Sequence, residues 1–327
     1  MEVKIGHGGT LDPLATGVLI AGIGQGTKHL ASFLECTKSY ETVVLFGAET
    51  DTYDRLGKIV RRAGYEHITR DAVEEALTQF RGKIMQRPPI FSALRVQGKR
   101  LYEYAREGIV PPVEIKSRPV EVSDLRILEW YEPGTHEYKW PEEEMAGEEK
   151  AIAEKMLEKD ASVAVASEIE AAEAEPDKTT PSLKRKASTP PESLANANDK
   201  ETVSSPKRAK TIDEGTAEGP SQAETTTTGE PTDDSSRAEN KSVVGPPAVK
   251  ITMTVSSGFY VRSLAHDLGK AVGSCGLMSS LVRSRQGDYS LDQDQVLEYE
   301  DLERGEEVWG LKVRRFLEEW QSKHPAE

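Results

Sequence analysis

From Val249 to Val255 apolar and polar residues alternate strictly: Val249, Ile251, Met253 and Val255 fall on one side, Lys250, Thr252 and Thr254 on the other. A period of two is that of a strand with one buried and one wet face. Val120, Val122, Leu125 and Ile127 keep the same rhythm with one slip, and Ser39–Gly47 is a β-rich run between polar residues, so both predict strands. Elsewhere the period lengthens. Thr69 precedes Val73, Ala76, Leu77 and Phe80, spaced as one helix face, with Gly82 beyond as the stop. Three more helices are predicted: Lys99–Glu107 ending at Gly108, Tyr260–Val272 with Val261, Leu264, Ala265 and Leu268 on one side, and an amphipathic stretch over Val308–Trp320. Strands and helices mix without a repeating strand–helix–strand unit, which makes the fold class α+β.

The pattern lapses from about Pro141 to Ala248. This stretch holds no Phe, Trp or Tyr and is rich in Glu, Ala, Ser, Thr and Pro. It cannot bury enough apolar surface to offset ordering, at ~1–2 kcal/mol per residue. We read 141–248 as a disordered acidic insert with a transient helix over Glu148–Glu175, looped out between two adjacent strands. Residues 1–140 and 249–327 then form a single folded domain. The insert also explains the charge. Of the net −14 it carries −11, from 24 acidic against 13 basic residues, so the remaining body, at −3, is nearly neutral. On that body Arg81, Lys83 and Arg87, then Arg95, Lys99, Arg100 and Arg106, then Arg283 and Arg285 form basic clusters suited to phosphates or to solvated helix faces. Within the insert, Lys184-Arg185-Lys186 and Lys207-Arg208-Ala209-Lys210 read as nuclear-import signals or charge-balancing residues. Thr180-Pro181, Thr189-Pro190 and Ser205-Pro206 fit proline-directed phosphorylation.

Several classes drop out. Cys36 and Cys275 are too few for a disulfide framework, and six scattered histidines make no metal-ligand spacing. No apolar run approaches the ~20 residues that span a bilayer, and Met1-Glu2-Val3-Lys4 resembles no signal or transit peptide. The reading is of an intracellular protein with no membrane partner. Gly22-Ile23-Gly24-Gln25-Gly26-Thr27-Lys28 fits neither phosphate-loop order. Candidate chemistry lies in Gly6-His7-Gly8-Gly9-Thr10-Leu11-Asp12-Pro13. Pro13 biases Asp12 away from helical geometry, and the glycines admit a close neighbour, as in an active-site loop or an ordinary Asx-turn.

Lys4–Pro13 followed by Ala15, Gly17, Val18 and Leu19 resembles the signature of TruB-type pseudouridine synthases. Further blocks resemble the family in its order: Lys38-Ser39-Tyr40-Glu41 with 47–57, 88–95 with 98–108, 257–264 with Asp267-Leu268-Gly269, and 281–287. The resemblance implies a mixed, mainly antiparallel sheet with flanking helices, and isomerisation of uridine to pseudouridine at position 55 in the T-loop of tRNA. That reaction moves one glycosidic bond with no redox step or group transfer, so no cofactor and no metal is implied. By resemblance Asp12 is the nucleophile and Arg262 its partner; alone, Arg262 reads as an ordinary salt-bridge residue. Tyr40 stacks on the flipped base and shuttles the proton, although alone it reads as a core aromatic. Leu281 and Tyr260 line the base pocket, His7 assists flipping or is a turn histidine, and Lys38 and Arg283 contact the RNA.

The family's opening strand and Lys-Pro-x-Gly turn have no counterpart before Ile5, and only 40 residues follow Gly287. The expected partners are the tRNA T-arm and, more broadly, mRNA, with a monomeric chain and an import receptor at the insert. The nucleus, the mitochondrion or both are the expected compartments. A guide-RNA-dependent enzyme of the same family, or a non-catalytic tRNA-binding or tRNA-folding protein, are the competing readings.

Overall fold

A computed structural model describes residues 3–109, 111–113, 115–147, 149–154, 157, 245–291 and 296–324. The strands are β1 (Ile5–His7), β2 (Thr16–Gly17), β3 (Ala21–Ile23), β4 (Lys38–Phe46), β5 (Ala48–Thr50), β6 (Ile59–Arg62), β7 (Gly82–Gln86), β8 (Arg95–Val96), β9 (Lys99–Arg100), β10 (Arg118–Tyr131), β11 (Ala248–Val255), β12 (Gly276–Gln286) and β13 (Tyr289–Ser290). The helices are α1 (Leu30–Glu35), α2 (Arg70–Leu77), α3 (Leu101–Arg106), α4 (Val261–Ala271), α5 (Tyr299–Glu303) and α6 (Glu306–Lys323).

The main sheet runs β13-β12-β4-β11-β10-β7, antiparallel throughout, with β2 added in parallel to β12. This is the α+β, mainly antiparallel architecture expected. The slip at Val122–Leu125 is a register shift between Val122 and Asp124 against β11. One face of the sheet takes Val44, Phe46, Ile251 and Met253 against the apolar sides of α2 and α4. At the other end Val43, Leu45, Ala248 and Leu277 are covered by Tyr131, Tyr138 and Trp140, so β4 is buried on both faces there. The Thr69 hydroxyl accepts the Ala72 N–H and starts α2 as its sequence requires. Helix α4 sits close on β12 because Gly269 carries no side chain; a β-carbon there would overlap the backbone at Cys275 and Gly276.

The insert needs a correction at its start. Residues 143–145 bridge to Ile59 through backbone hydrogen bonds of 2.9 Å each way, residues 149–154 are helical, and Met145, Ala153 and Leu157 are buried with Tyr53 and Val60. Three apolar residues, without any aromatic, are enough to cover one tyrosine and one valine. The chain leaves β10 and returns to β11 at paired residues, Tyr131 opposite Ala248. The import-like patches and the Ser/Thr-Pro sites fall outside the described residues, as does the remainder of the expected transient helix. Among the described residues no helix is long and apolar enough to cross a membrane.

Candidate active site

Asp12 sits in the loop between β1 and β2, in a turn closed by Ala15 N–H donating to the Asp12 carbonyl at 2.9 Å. Arg262 lies in the first turn of α4. It reaches Asp12 with both arms: Nε donates to Oδ2 and Nη2 to Oδ1, each at 2.9 Å. Such a fork-to-fork pair fixes direction as well as charge. The remaining donors also have partners, Nη1 on the Thr52 carbonyl at 3.0 Å and Nη2 on the Phe91 carbonyl at 2.9 Å. The Asp12 side chain is 27% exposed and that of Arg262 8%. A reachable carboxylate is thus held by an inaccessible cation. A second carboxylate, Asp54, lies 3.8 Å from Arg262 Nε and is almost fully buried. Burial raises its pKa against the pull of Thr52, the Leu56 N–H and Arg262, while the charge on Asp12 raises it further.

Tyr40 is in the middle strand β4, paired with Met253 on one side and Arg283 on the other, and is buried. Burial raises its hydroxyl pKa; the Arg283 guanidinium opposes this, and Asp12 adds to it. Leu281, buried on β12, shares the core cluster of Tyr40 and Val261. Tyr260 caps α4 and is fixed by Gln86, whose amide exchanges hydrogen bonds with the Tyr260 N–H (2.7 Å) and carbonyl (3.0 Å). Arg118 donates to the Tyr260 hydroxyl at 3.2 Å. His7 is exposed at the end of β1, with Nδ1 3.1 Å from the Gly9 carbonyl.

Two expected RNA contacts turn inward. Lys38 Nζ donates to the Leu34 carbonyl (3.0 Å) and the Cys36 carbonyl (2.7 Å), closing the end of α1, and burial lowers its pKa. Arg283 is 1% exposed, with Nε on the Val18 carbonyl (2.7 Å) and Nη1 on the Thr10 carbonyl (3.2 Å). It staples both ends of the Asp12 loop to β12 and cannot reach a phosphate. Its neighbour Arg285 is likewise occupied by Ser39 and the Gly287 carbonyl, so this pair is no surface cluster. Among the described residues no three His, Cys, Asp or Glu side chains gather as a metal would require.

Residues 1–142 match the family model described as TruB family pseudouridylate synthase, N-terminal domain. The chain is 40% identical over 305 residues to tRNA pseudouridine synthase 4 of Schizosaccharomyces pombe, covering 92% of this chain and 69% of that protein. Against tRNA pseudouridine synthase 4 of Saccharomyces cerevisiae it is 34% identical over 329 residues, covering 97% and 70%. The chain belongs to the TruB family. A bacterial TruB relative, tRNA pseudouridine synthase B of Heliobacterium modesticaldum, is 48% identical over 136 residues, 42% of this chain and 44% of its own.

In this TruB chain the structure brings Asp12, Arg262, Tyr40 and Leu281 onto one side of the sheet and adds residues that sequence reasoning gave no role. Asp54 stood inside the 47–57 block, between Tyr53 and Arg55, and its place in that block was its only signal. Gln86 and Arg118 gave none.

Proposed function

We propose that this chain converts uridine to pseudouridine at position 55, in the T-loop of tRNA, as a stand-alone enzyme with Asp12 as its nucleophile. The carrying observation is the bidentate closure of Arg262 on a carboxylate that stays reachable. Membership of the TruB family supports the isomerase chemistry, and the names of both fungal relatives support tRNA as the substrate.

The reaction breaks the N1–C1′ bond, turns the uracil, joins C5 to C1′, and moves one proton from C5 to N1. Asp12 acts at the sugar, by covalent attack at C1′ or by promoting a glycal. Arg262 places an opposite charge against it as water is excluded and holds its oxygens in one plane. Tyr40, with a hydroxyl whose pKa burial raises, keeps its proton at neutral pH, which fits a relay better than a standing base. The uridine has to leave its stack, at a few kcal/mol, and the apolar side chain of Leu281 offers the extruded base a wall.

The test compares the parent chain with Asp12→Asn on an unmodified tRNA transcript, mapping pseudouridine by position. The reading requires conversion at position 55 by the parent alone, without added guide RNA. Two inactive proteins that both bind tRNA would sink it in favour of a non-catalytic binder.

A further inference from the structure

The turn between β5 and β6 carries Thr52, whose carbonyl holds Arg262, and helix α4 grips that turn twice. One turn beyond Arg262, His266 lies flat against the Tyr53 ring, centroids 4.0 Å apart and planes 12° from parallel. Tyr53 itself has φ of 64°, a left-handed conformation that an aromatic residue adopts only where its surroundings hold it. Its N–H donates to the Thr50 carbonyl, and its own carbonyl accepts the Met278 N–H at 2.9 Å. Those bonds fix the backbone on the β12 side. The ring is buried with Val60, Met145, Ala153 and Leu157. The last three belong to a segment tied to β6 by the backbone bonds at Ile59 and by the ion pairs Lys58–Glu149 and Arg62–Glu144, both 3.2 Å.

We propose that the segment carrying Met145, Ala153 and Leu157 is a positioning strap for the active-site arginine, acting through the Tyr53 ring and the Thr52 carbonyl. The inference rests on the reading of Arg262 and Asp12 as the catalytic pair. The strap and His266 together keep the Tyr53 ring in place. That ring keeps residue 53 left-handed, and this geometry aims the Thr52 carbonyl at Nη1. Without it, one of four anchoring bonds of Arg262 is lost, and the fork drifts from the plane of the Asp12 carboxylate. A drift of about 1 Å at a reacting group costs on the order of 100-fold in rate.

The experiment is single-turnover pseudouridine formation on a tRNA transcript with the full chain in excess, because the rate constant reports positioning and the amplitude reports the folded fraction. Tyr53→Ala and the Met145→Ser/Leu157→Ser double variant should lower the rate constant about 10- to 100-fold, with tRNA affinity and amplitude preserved. Tyr53→Phe should restore the parent rate. Replacement of residues 159–244 by a flexible Gly/Ser linker should also leave the parent rate. An unchanged rate constant in Tyr53→Ala, with lost amplitude only, would mean simple packing and overturn the strap, as would a Tyr53→Phe variant as slow as Tyr53→Ala. A linker chain that slow would equally overturn the assignment to the Met145, Ala153 and Leu157 segment. A parent that makes no pseudouridine sinks the functional reading and the strap together, whereas an active parent with an unaffected Tyr53→Ala sinks the strap alone.

Discussion

Gly17 lies against the backbone of Arg283 with no space for a methyl group between them. Its φ is +105°, and a β-carbon would come within 2.7 Å of the Arg283 nitrogen. This contact lets β2 pair in parallel with β12, Thr16 opposite Val282 and Gly17 opposite Arg283. The Asp12 loop therefore depends on a residue that has no side chain.

Gly17→Ala should lift that loop off β12. Strain at positive φ costs about 1–3 kcal/mol, so the urea midpoint should drop. Turnover should fall by more than the lost folded fraction accounts for, because Thr10 and Val18 leave Arg283 together. Parent-like single-turnover rates in Gly17→Ala would contradict the staple.

Arg262→Lys keeps the charge but replaces a planar fork with a point. An ammonium with three donors at one atom cannot keep the paired bonds to both Asp12 oxygens together with those to the Thr52 and Phe91 carbonyls. A fall in kcat of at least about 100-fold, equivalent to about 2.7 kcal/mol, is the expected outcome, with tRNA affinity nearly unchanged. Steady-state kinetics on a transcript decide it.

Salt dependence separates inward from outward cations. Lys38→Met should leave the slope of log Kd against log salt unchanged, since that ammonium serves the end of α1. Arg106, exposed on α3 with its guanidinium over the Tyr102 ring, is a contrasting case. Arg106→Ala should make the slope shallower by about 0.7–0.9, as expected for one lost phosphate contact. Filter binding at several salt concentrations measures both.

Acid should test the buried His266–Glu49 pair, one helical turn from Arg262. Burial, with Lys270 and Arg61 nearby, holds the His266 pKa well below 6.5, although Glu49 Oε2 lies 3.5 Å from its Nδ1. The unfolded chain therefore takes up a proton below pH 6.5 that the folded chain refuses, and stability falls as pH drops through that value. Glu49 acts oppositely: burial raises its pKa, so it favours the folded state below pH 4.5, and that contribution is lost as pH rises through its raised value. His266→Phe should flatten the loss in urea midpoint between pH 7 and pH 5.5. An equally steep loss in the variant would assign the acid sensitivity elsewhere.

The elements were legible because each writes its own period. The alternation of β11 and the capped face of α2 need nothing beyond their neighbours. Register was not legible: nothing near Tyr40 says that it lies between Met253 and Arg283. The Asp12–Arg262 partnership came from family likeness and could not come from spacing, since 250 positions separate the two. Charge misled at Lys38 and Arg283, because composition shows that a cation exists and not where it points. A clue was present at Arg283: it stands two residues after Leu281 in a strand, hence on the same buried side. The insert boundary drifted for a related reason. Aromatic residues marked the folded body, while Met145, Ala153 and Leu157 joined it without them.

The pairing of Tyr131 with Ala248 also bears on biosynthesis. Strand β4, whose Val43–Phe46 stretch is buried on both faces, has β11 and β12 as its two neighbours, and both are encoded after the insert. On a ribosome adding ~5–20 residues per second, translation from Tyr131 to Ala248 lasts on the order of ten seconds. Throughout that interval the most apolar strand of the nascent chain has neither edge paired. Asp12 is made before the insert and Arg262 after it, so the pair can form only once β11 and α4 have been synthesised, and the waiting period is when chaperones would have most to protect.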